Sequence, residues 1–221
     1  MAQHTTLLSA QFITHDVKQF IIERPAGFTF EPGQGVELAI DRPGWEKEAR
    51  PFTPTSLPDA KVLEFVIKGY PEHHGMTEQL HRFAPGERLL ISEPFGTINY
   101  RGPGTFIAAG AGITPFLAII RRLARDGELG DHRLLYSNKG PTDIINAQEL
   151  RHYLGADLRL LCTRESDCHC EAQRIDKRYL QATIGDLAQR FYICGPPPFV
   201  KAINTALVEL GAEPDALVFE R

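Results

Sequence analysis

Four short stretches of this 221-residue chain gather chemically useful residue types. Gly110-Ala111-Gly112-Ile113-Thr114-Pro115 follows the apolar run TFIAA and leads into PFLAIIRRLARD, which has helical spacing. Small residues there let a ligand approach the backbone closely. Thr114 suits a helix N-cap and Pro115 the first helical position, and the free amides of a helix start attract phosphate. The stretch departs from the G-x-G-x-x-G pattern because Pro115 stands where the third glycine would be. A second strand-to-helix turn, Cys194-Gly195-Pro196-Pro197-Pro198, follows the strand FYI. Ligands of open parallel sheets bind beyond the carboxyl ends of the strands, so the two turns could face one ligand. Arg50-Pro51-Phe52-Thr53 supplies a cation, a rigid bend, an aromatic plate and a hydroxyl. Together these could hold a planar ring with a phosphate tail, Phe52 stacking and Arg50 pairing bidentately. They equally suit an edge strand with a core phenylalanine and a solvated arginine. Gly75-Met76-Thr77 opens a helix and is either another phosphate seat or an ordinary helix start.

The elements that must position these residues change character along the chain. Up to about residue 100, the runs TTLLSAQFIT, VKQFIIER, GVELAI, RPFTPTS, LEFVIKGY and ERLLIS are short, β-branched or aromatic, and punctuated by Pro, Gly and Asp. That spacing predicts an antiparallel barrel or sandwich, interrupted by one helix over Met76–Phe83. After residue 104, apolar strands alternate with amphipathic helices, which predicts a parallel sheet covered on both faces. The expected fold is therefore two-domain: an antiparallel β-barrel over residues 1–101, then a doubly wound α/β domain over residues 102–221.

Composition narrows the function classes. With 24 Lys and Arg against 28 Asp and Glu the net charge is -4, so the basic excess of a nucleic-acid binder is missing. The longest apolar stretch, Phe106–Ile120, is broken by Gly110, Gly112, Thr114 and Pro115 and falls short of the ~20 residues a spanning helix needs. MAQHTTLLSAQ carries neither a basic region nor a continuous apolar one, so the expected compartment is the cytoplasm and the cysteines are expected to be reduced. Cys168-His169-Cys170 with Cys162 is off the C-x(2–4)-C spacing of structural zinc, and the C-x4-C-x2-C run of a plant-type iron–sulfur cluster is missing. No metal is expected. G-x-S-x-G, G-x-x-x-x-G-K-[ST] and H-E-x-x-H are all absent, which removes hydrolase and P-loop readings. Arg121, Arg122 and Arg125 form a cationic run that is either a solvated helix face or a dock for an acidic protein partner.

In order and spacing, Phe30-Glu31-Pro32-Gly33-Gln34, Arg50-Pro51-Phe52-Thr53, Gly75-Met76-Thr77, Glu93-Pro94-Phe95-Gly96, Gly110–Pro115 and Cys194-Gly195-Pro196-Pro197 resemble the ferredoxin–NADP reductase superfamily over nearly the whole chain. They are most similar to its compact bacterial flavodoxin and ferredoxin reductase-like members. The resemblance implies a Greek-key flavin-binding barrel and an NAD(P)-binding domain. The activity it implies is a flavin-dependent NAD(P)H oxidoreductase, with FAD and NADPH or NADH as cofactors. Arg50 and Pro51 would meet the flavin phosphates, Phe52 the isoalloxazine, and Thr53 the flavin N5. Val66, Ile67 and Lys68 would offer backbone groups to the ring's polar edge, and Gly75, Met76 and Thr77 would cradle the pyrophosphate. Gly110, Gly112, Ile113, Thr114 and Pro115 would receive the dinucleotide, with Cys194 near the nicotinamide C4 and Gly195 and Pro196 shaping its turn. Phe219-Glu220 resembles the family's terminal aromatic and acidic pair. Thr53, Cys194 and Glu220 are thus the implied catalytic residues. Thr163-Arg164 with Arg174 resembles a 2′-phosphate clamp and favours NADPH, against which Glu165 would act. The family often has Tyr and Ser where Phe52 and Thr53 stand. Electrons would pass to a separate carrier such as flavodoxin or ferredoxin, with the protein a monomer. The alternatives are a free-flavin or ferric-chelate reductase and a non-turnover flavin-binding regulatory module.

Overall fold

The computed structural model describes residues 2–96, 98–165 and 170–219. Glu220, Cys168 and His169 lie outside them. Two compact units emerge, residues 1–97 with Thr114–Arg122, and Ile98–Ile113 with residues 123–221.

In the first unit, β1 (Gln3–Phe12), β2 (Val17–Glu23), β3 (Val36–Ile40), β4 (Arg50–Phe52), β5 (Val62–Lys68) and β6 (Arg88–Ile91) are joined by one short helix, α1 (Met76–His81). The strand order is β4-β3-β6-β1-β2-β5, all pairs antiparallel, in a nearly closed barrel. β6 returns between β3 and β1, a Greek-key crossing. Period-two alternation sends Leu63, Phe65 and Ile67 of β5 into the core, while Glu64 and Lys68 face outward. Phe20, Ile22, Val36, Leu38, Leu80 and Phe83 complete that core. α1 stops at His81, short of the predicted Phe83. Phe83 stays buried because its amide continues a turn to the Leu80 carbonyl.

The second unit holds β7 (Gly104–Ala109), β8 (His132–Asn138), β9 (Leu158–Cys162), β10 (Arg190–Cys194) and β11 (Leu217–Phe219). They form a five-stranded parallel sheet in the order β11-β10-β7-β8-β9. The connecting helices are α2 (Thr114–Asp126), of which Thr114–Arg122 count with the first unit, α3 (Ala147–Leu154), α4 (Lys177–Thr183) and α5 (Pro197–Leu210). The chain runs outward from β7 through β9, then returns to place β10 on the other flank of β7. The switch in direction therefore lies between β7 and β10, where sheets of this type bind ligands. At the start of β7, Tyr192 Oη accepts from the Arg101 amide at 2.9 Å and donates to the Gly102 carbonyl at 2.7 Å. Beside it Tyr100 Oη meets His132 Nε2 at 2.9 Å. Burial holds the His132 pKa below its usual value, so the neutral ring accepts at Nε2 and donates Nδ1–H to the Leu129 carbonyl.

The α2 start differs from expectation. Ile113, not Thr114, is the N-cap, and Thr114 and Pro115 are the first and second helical residues. The reason is that a 3-10 turn over Gly110–Ile113 runs straight into the helix. Ile113 already has helical angles, φ -69° and ψ -22°, and no extended cap residue intervenes. Pro115 is tolerated because the second helical amide also lacks an intrahelical partner.

Candidate functional site

On the barrel, β4 presents Arg50 and Pro51 exposed and Phe52 half-buried against the core. The Arg50 guanidinium meets Glu48 at 3.2 Å and the Ala49 carbonyl at 2.8 Å. Glu48 is itself half-exposed, and such a surface pair contributes little, so an incoming phosphate can displace it. β5 is an edge strand. On its free side the Glu64 amide and carbonyl bond Ser56 Oγ and the Thr55 amide. Backbone groups alternate sides along a strand, so Val66 and Lys68 present theirs to that same edge. Ile67 faces the β2 side, and its carbonyl also accepts from His81 Nε2 at 2.9 Å. Of the three residues assigned to the ring edge, Ile67 therefore does not share it. The Lys68 ammonium pairs with Asp16 at 2.5 Å. Partial burial works to raise the Asp16 pKa, yet hydrogen bond and charge from Lys68 hold it below the ordinary value.

Gly75 caps α1 with φ -103° and no side-chain hydrogen bond. A Cβ there would come no closer to the protein than 3.9 Å, at the His73 carbonyl. Neither torsion nor packing thus explains the glycine, and open space above uncapped amides is what close approach of a pyrophosphate requires. Met76 is 1% exposed in the barrel core and can offer only its amide. Together with Arg50, Phe52, Thr53 and the free β5 edge, this donor set fits a flavin nucleotide.

Sequence reading missed His81. Its ring lies on Gly69, where a Cβ would fall 2.8 Å from Nδ1, and so it pins the β5-to-α1 connection. Burial keeps its pKa below the usual value. Gly69→Ala should cost about 1–3 kcal/mol, the range for overpacking, measured by urea unfolding. A wild-type midpoint would contradict this packing.

In the second unit the two glycine turns abut. A Cβ on Gly112 would lie 2.4 Å from the Cys194 carbonyl oxygen and 2.6 Å from Gly195 Cα. Gly110 has φ +53°, a left-handed conformation with open space around it. Beneath it Tyr136, fully buried, donates its hydroxyl to the Gly110 carbonyl at 3.0 Å. Burial raises the Tyr136 pKa strongly, so the phenol stays a donor. Sequence reading took Tyr136 only as part of a strand; its register opposite Ala108 of β7 is what aims it at the turn. Cys194 ends β10, buried. Pro196 caps α5, whose first two residues are prolines without an N–H and whose next two amides donate to the Pro196 carbonyl, so this helix start holds no free amide for a phosphate.

At the carboxyl ends of β8 and β9, Cys162, Thr163, Arg164, Glu165, Ala172, Gln173 and Arg174 line a cleft of about 270 Å³. Arg164 and Arg174 are exposed, and among the described residues neither pairs with an acidic group. Thr163 Oγ1 donates to the Asn138 carbonyl at 3.2 Å, and a phosphate would have to compete for that proton. The Asn138 carboxamide is buried beside Tyr136 with no well-formed hydrogen bond among the described residues. The abutting turns and the arginine-lined cleft fit a pyridine dinucleotide. Phe219 ends edge strand β11 opposite Ile193 of β10, next to Cys194 in the chain, and packs on the α/β core.

Comparison with known proteins agrees with this division. The family described as oxidoreductase FAD-binding domain matches residues 4–100, and the oxidoreductase NAD-binding domain matches residues 106–205. NADH-cytochrome b5 reductase 1 of Coccidioides immitis is 30% identical over 241 residues, covering 98% of this chain and 77% of that protein. The chain belongs to the ferredoxin–NADP reductase superfamily. A second superfamily relative is the ferredoxin–NAD(P)+ reductase component of the naphthalene 1,2-dioxygenase system of Pseudomonas putida. It is 28% identical over 220 residues, 95% of this chain and 66% of that protein. The chain spans 56–66% of the length of the first three curated relatives it matches. A ferredoxin NADP+ reductase from Neisseria gonorrhoeae, solved with FAD and NADP, shares the superfamily fold. Its TM-score is 0.80 at 22% identity, covering 95% of this chain and 92% of that one. FAD and a pyridine dinucleotide are the cofactors of these two superfamily domains. Among the described residues no helix is long and apolar enough to cross a membrane.

Proposed function

We propose that the protein is a flavin-dependent NAD(P)H oxidoreductase, with residues 1–101 holding FAD and residues 102–221 the dinucleotide. The observation that carries this reading is the packing of Gly112 on the Cys194–Gly195 peptide, which puts both glycine turns at the switch point of the parallel sheet. Bound FAD would supply an acceptor for two electrons that can leave one at a time. Arg50 and the first amides of α1, at Gly75, Met76 and Thr77, neutralise the flavin's phosphates. Phe52 lies against the ring, the Val66 and Lys68 backbones hold its polar edge, and the Thr53 hydroxyl bonds at N5. Gly110, Gly112, Ile113, Thr114 and Pro115 seat the dinucleotide, and Cys194, Gly195 and Pro196 orient the nicotinamide. Such fixed placement is the protein's main contribution to the rate. Phe219 contacts the bound cofactor and Glu220 serves catalysis beside it. Thr163, Arg164 and Arg174 favour NADPH. The downstream acceptor is a one-electron carrier, a ferredoxin or a flavodoxin.

An anaerobic visible spectrum of the FAD-loaded protein, taken before and after NADPH and then NADH, tests the reading. Bleaching of the flavin band is expected, faster with NADPH. A protein that retains no FAD overturns the barrel assignments. One that retains FAD yet is reduced by neither dinucleotide is a binding module, not a reductase. Steady-state rates with ferredoxin, flavodoxin, free flavin and ferric chelate then identify the acceptor class.

A further inference from the structure

The cationic run on α2 does not lie wholly on a solvated face. Arg121 has a side chain only 16% exposed, and its Nη1 donates to Glu64 Oε1 and to the Thr55 carbonyl, both at 2.6 Å. Glu64, 15% exposed, takes further hydrogen bonds from Thr55 Oγ1 at 2.6 Å and Gln19 Nε2 at 2.8 Å. Its backbone holds the same segment, the carbonyl accepting from the Thr55 amide at 2.7 Å and the amide donating to Ser56 Oγ at 3.1 Å. Thr55 is completely buried, and its amide, carbonyl and hydroxyl are all engaged. Pro54 lies between Thr55 and Thr53 with its φ locked by the ring. On the other side, Phe52 is paired with Val36 in the sheet. Thr53 therefore sits on a short span clamped at both ends, and one clamp is the Arg121–Glu64 pair.

We infer that Arg121 and Glu64 are positioning residues for Thr53, setting where its hydroxyl stands through their hold on Thr55. The inference rests on the role given to Thr53 under the proposed function. A single nitrogen, Nη1, serves the carboxylate and the carbonyl together, two bonds that a lysine ammonium can also supply.

The test uses the full chain loaded with FAD, with variants Arg121→Met, Arg121→Lys, Glu64→Gln, Thr53→Ala and the double variant Arg121→Met/Thr53→Ala. Flavin reduction at saturating NADPH should slow about tenfold or more in Arg121→Met, as small displacements of a reacting geometry do. The KM for NADPH should stay within about twofold, and Arg121→Lys should recover most of the rate. Hydrogen exchange of the Thr55 amide should accelerate about tenfold in Arg121→Met and Glu64→Gln, since the bond to Glu64 is loosened. The double variant should be no slower than Thr53→Ala, because two residues acting through one group are not additive. Losses that multiply in the double variant, or unchanged rate and exchange in a folded Arg121→Met, would overturn the inference. If Arg121→Met does not fold, Glu64→Gln alone and with Thr53→Ala decides by the same non-additivity. If wild-type protein is reduced by neither dinucleotide, the proposed function fails, and an unchanged Thr55 exchange rate in Glu64→Gln then removes the clamp as well.

Discussion

Gly112→Ala is expected to destabilise the α/β unit by about 3 kcal/mol, at the upper end of overpacking costs. The added Cβ would meet backbone atoms, the Cys194 carbonyl at 2.4 and 2.5 Å and Gly195 Cα at 2.6 Å, and not the yielding tip of a side chain. One of the two turns must move by the better part of an ångström. Shifts of that size in a binding geometry cost on the order of 100-fold, so the KM for NAD(P)H should rise accordingly while FAD is retained by the barrel. Two neighbours calibrate the effect. Gly110→Ala meets nothing but must keep φ +53°, a left-handed penalty of about 1–2 kcal/mol. Gly130→Ala has open space and an ordinary φ and should be neutral. Thermal unfolding and steady-state kinetics of the three variants check the order. A Gly112→Ala protein matching Gly130→Ala would mean that the turns do not abut.

Removing both arginines of the cleft, Arg164→Ala with Arg174→Ala, should raise the KM for NADPH about 100-fold while leaving NADH within about twofold, since each hydrogen bond to a charged group is worth roughly 1.5–3 kcal/mol. Both side chains are exposed, so the lower end of that range applies to each. Glu165 lines the same cleft with its negative charge. Glu165→Gln should therefore act in the opposite direction and lower the KM for NADPH several-fold. High salt should shrink both effects. Equal losses with NADPH and NADH would show that the cleft serves the part of the dinucleotide common to both, and would remove the preference for NADPH.

How far the sequence carries can be judged from particular residues. The strands of both units were legible because alternation and apolar runs are local: Leu63, Phe65 and Ile67 point inward for the same reason they recur every second position. The two glycine turns were legible too, since a strand, small residues and a helix follow one another in the chain. Helix ends were less so. Thr114 reads as a cap until the 3-10 turn before it takes up the helical angles.

The residues that sequence reading missed or misplaced share one property. Arg121 reads in the sequence as one of a cationic run with Arg122 and Arg125, yet it pairs with Glu64, 57 positions away. Gly112 looked like a ligand contact, and its closest neighbour proved to be another turn some eighty residues on. Tyr136 and His81 looked like ordinary strand and helix residues, and each holds a segment of a candidate site through one hydrogen bond to a carbonyl, Gly110 in one case and Ile67 in the other.

Local periodicity and turn chemistry, written into consecutive residues, thus determined the barrel, the parallel sheet and the order of the candidate motifs. Only the tertiary structure decided which groups clamp those motifs in place. A clamp depends on strand order, on the return of β6 between β3 and β1 and of β10 beside β7, and on side-chain partners that no local pattern encodes.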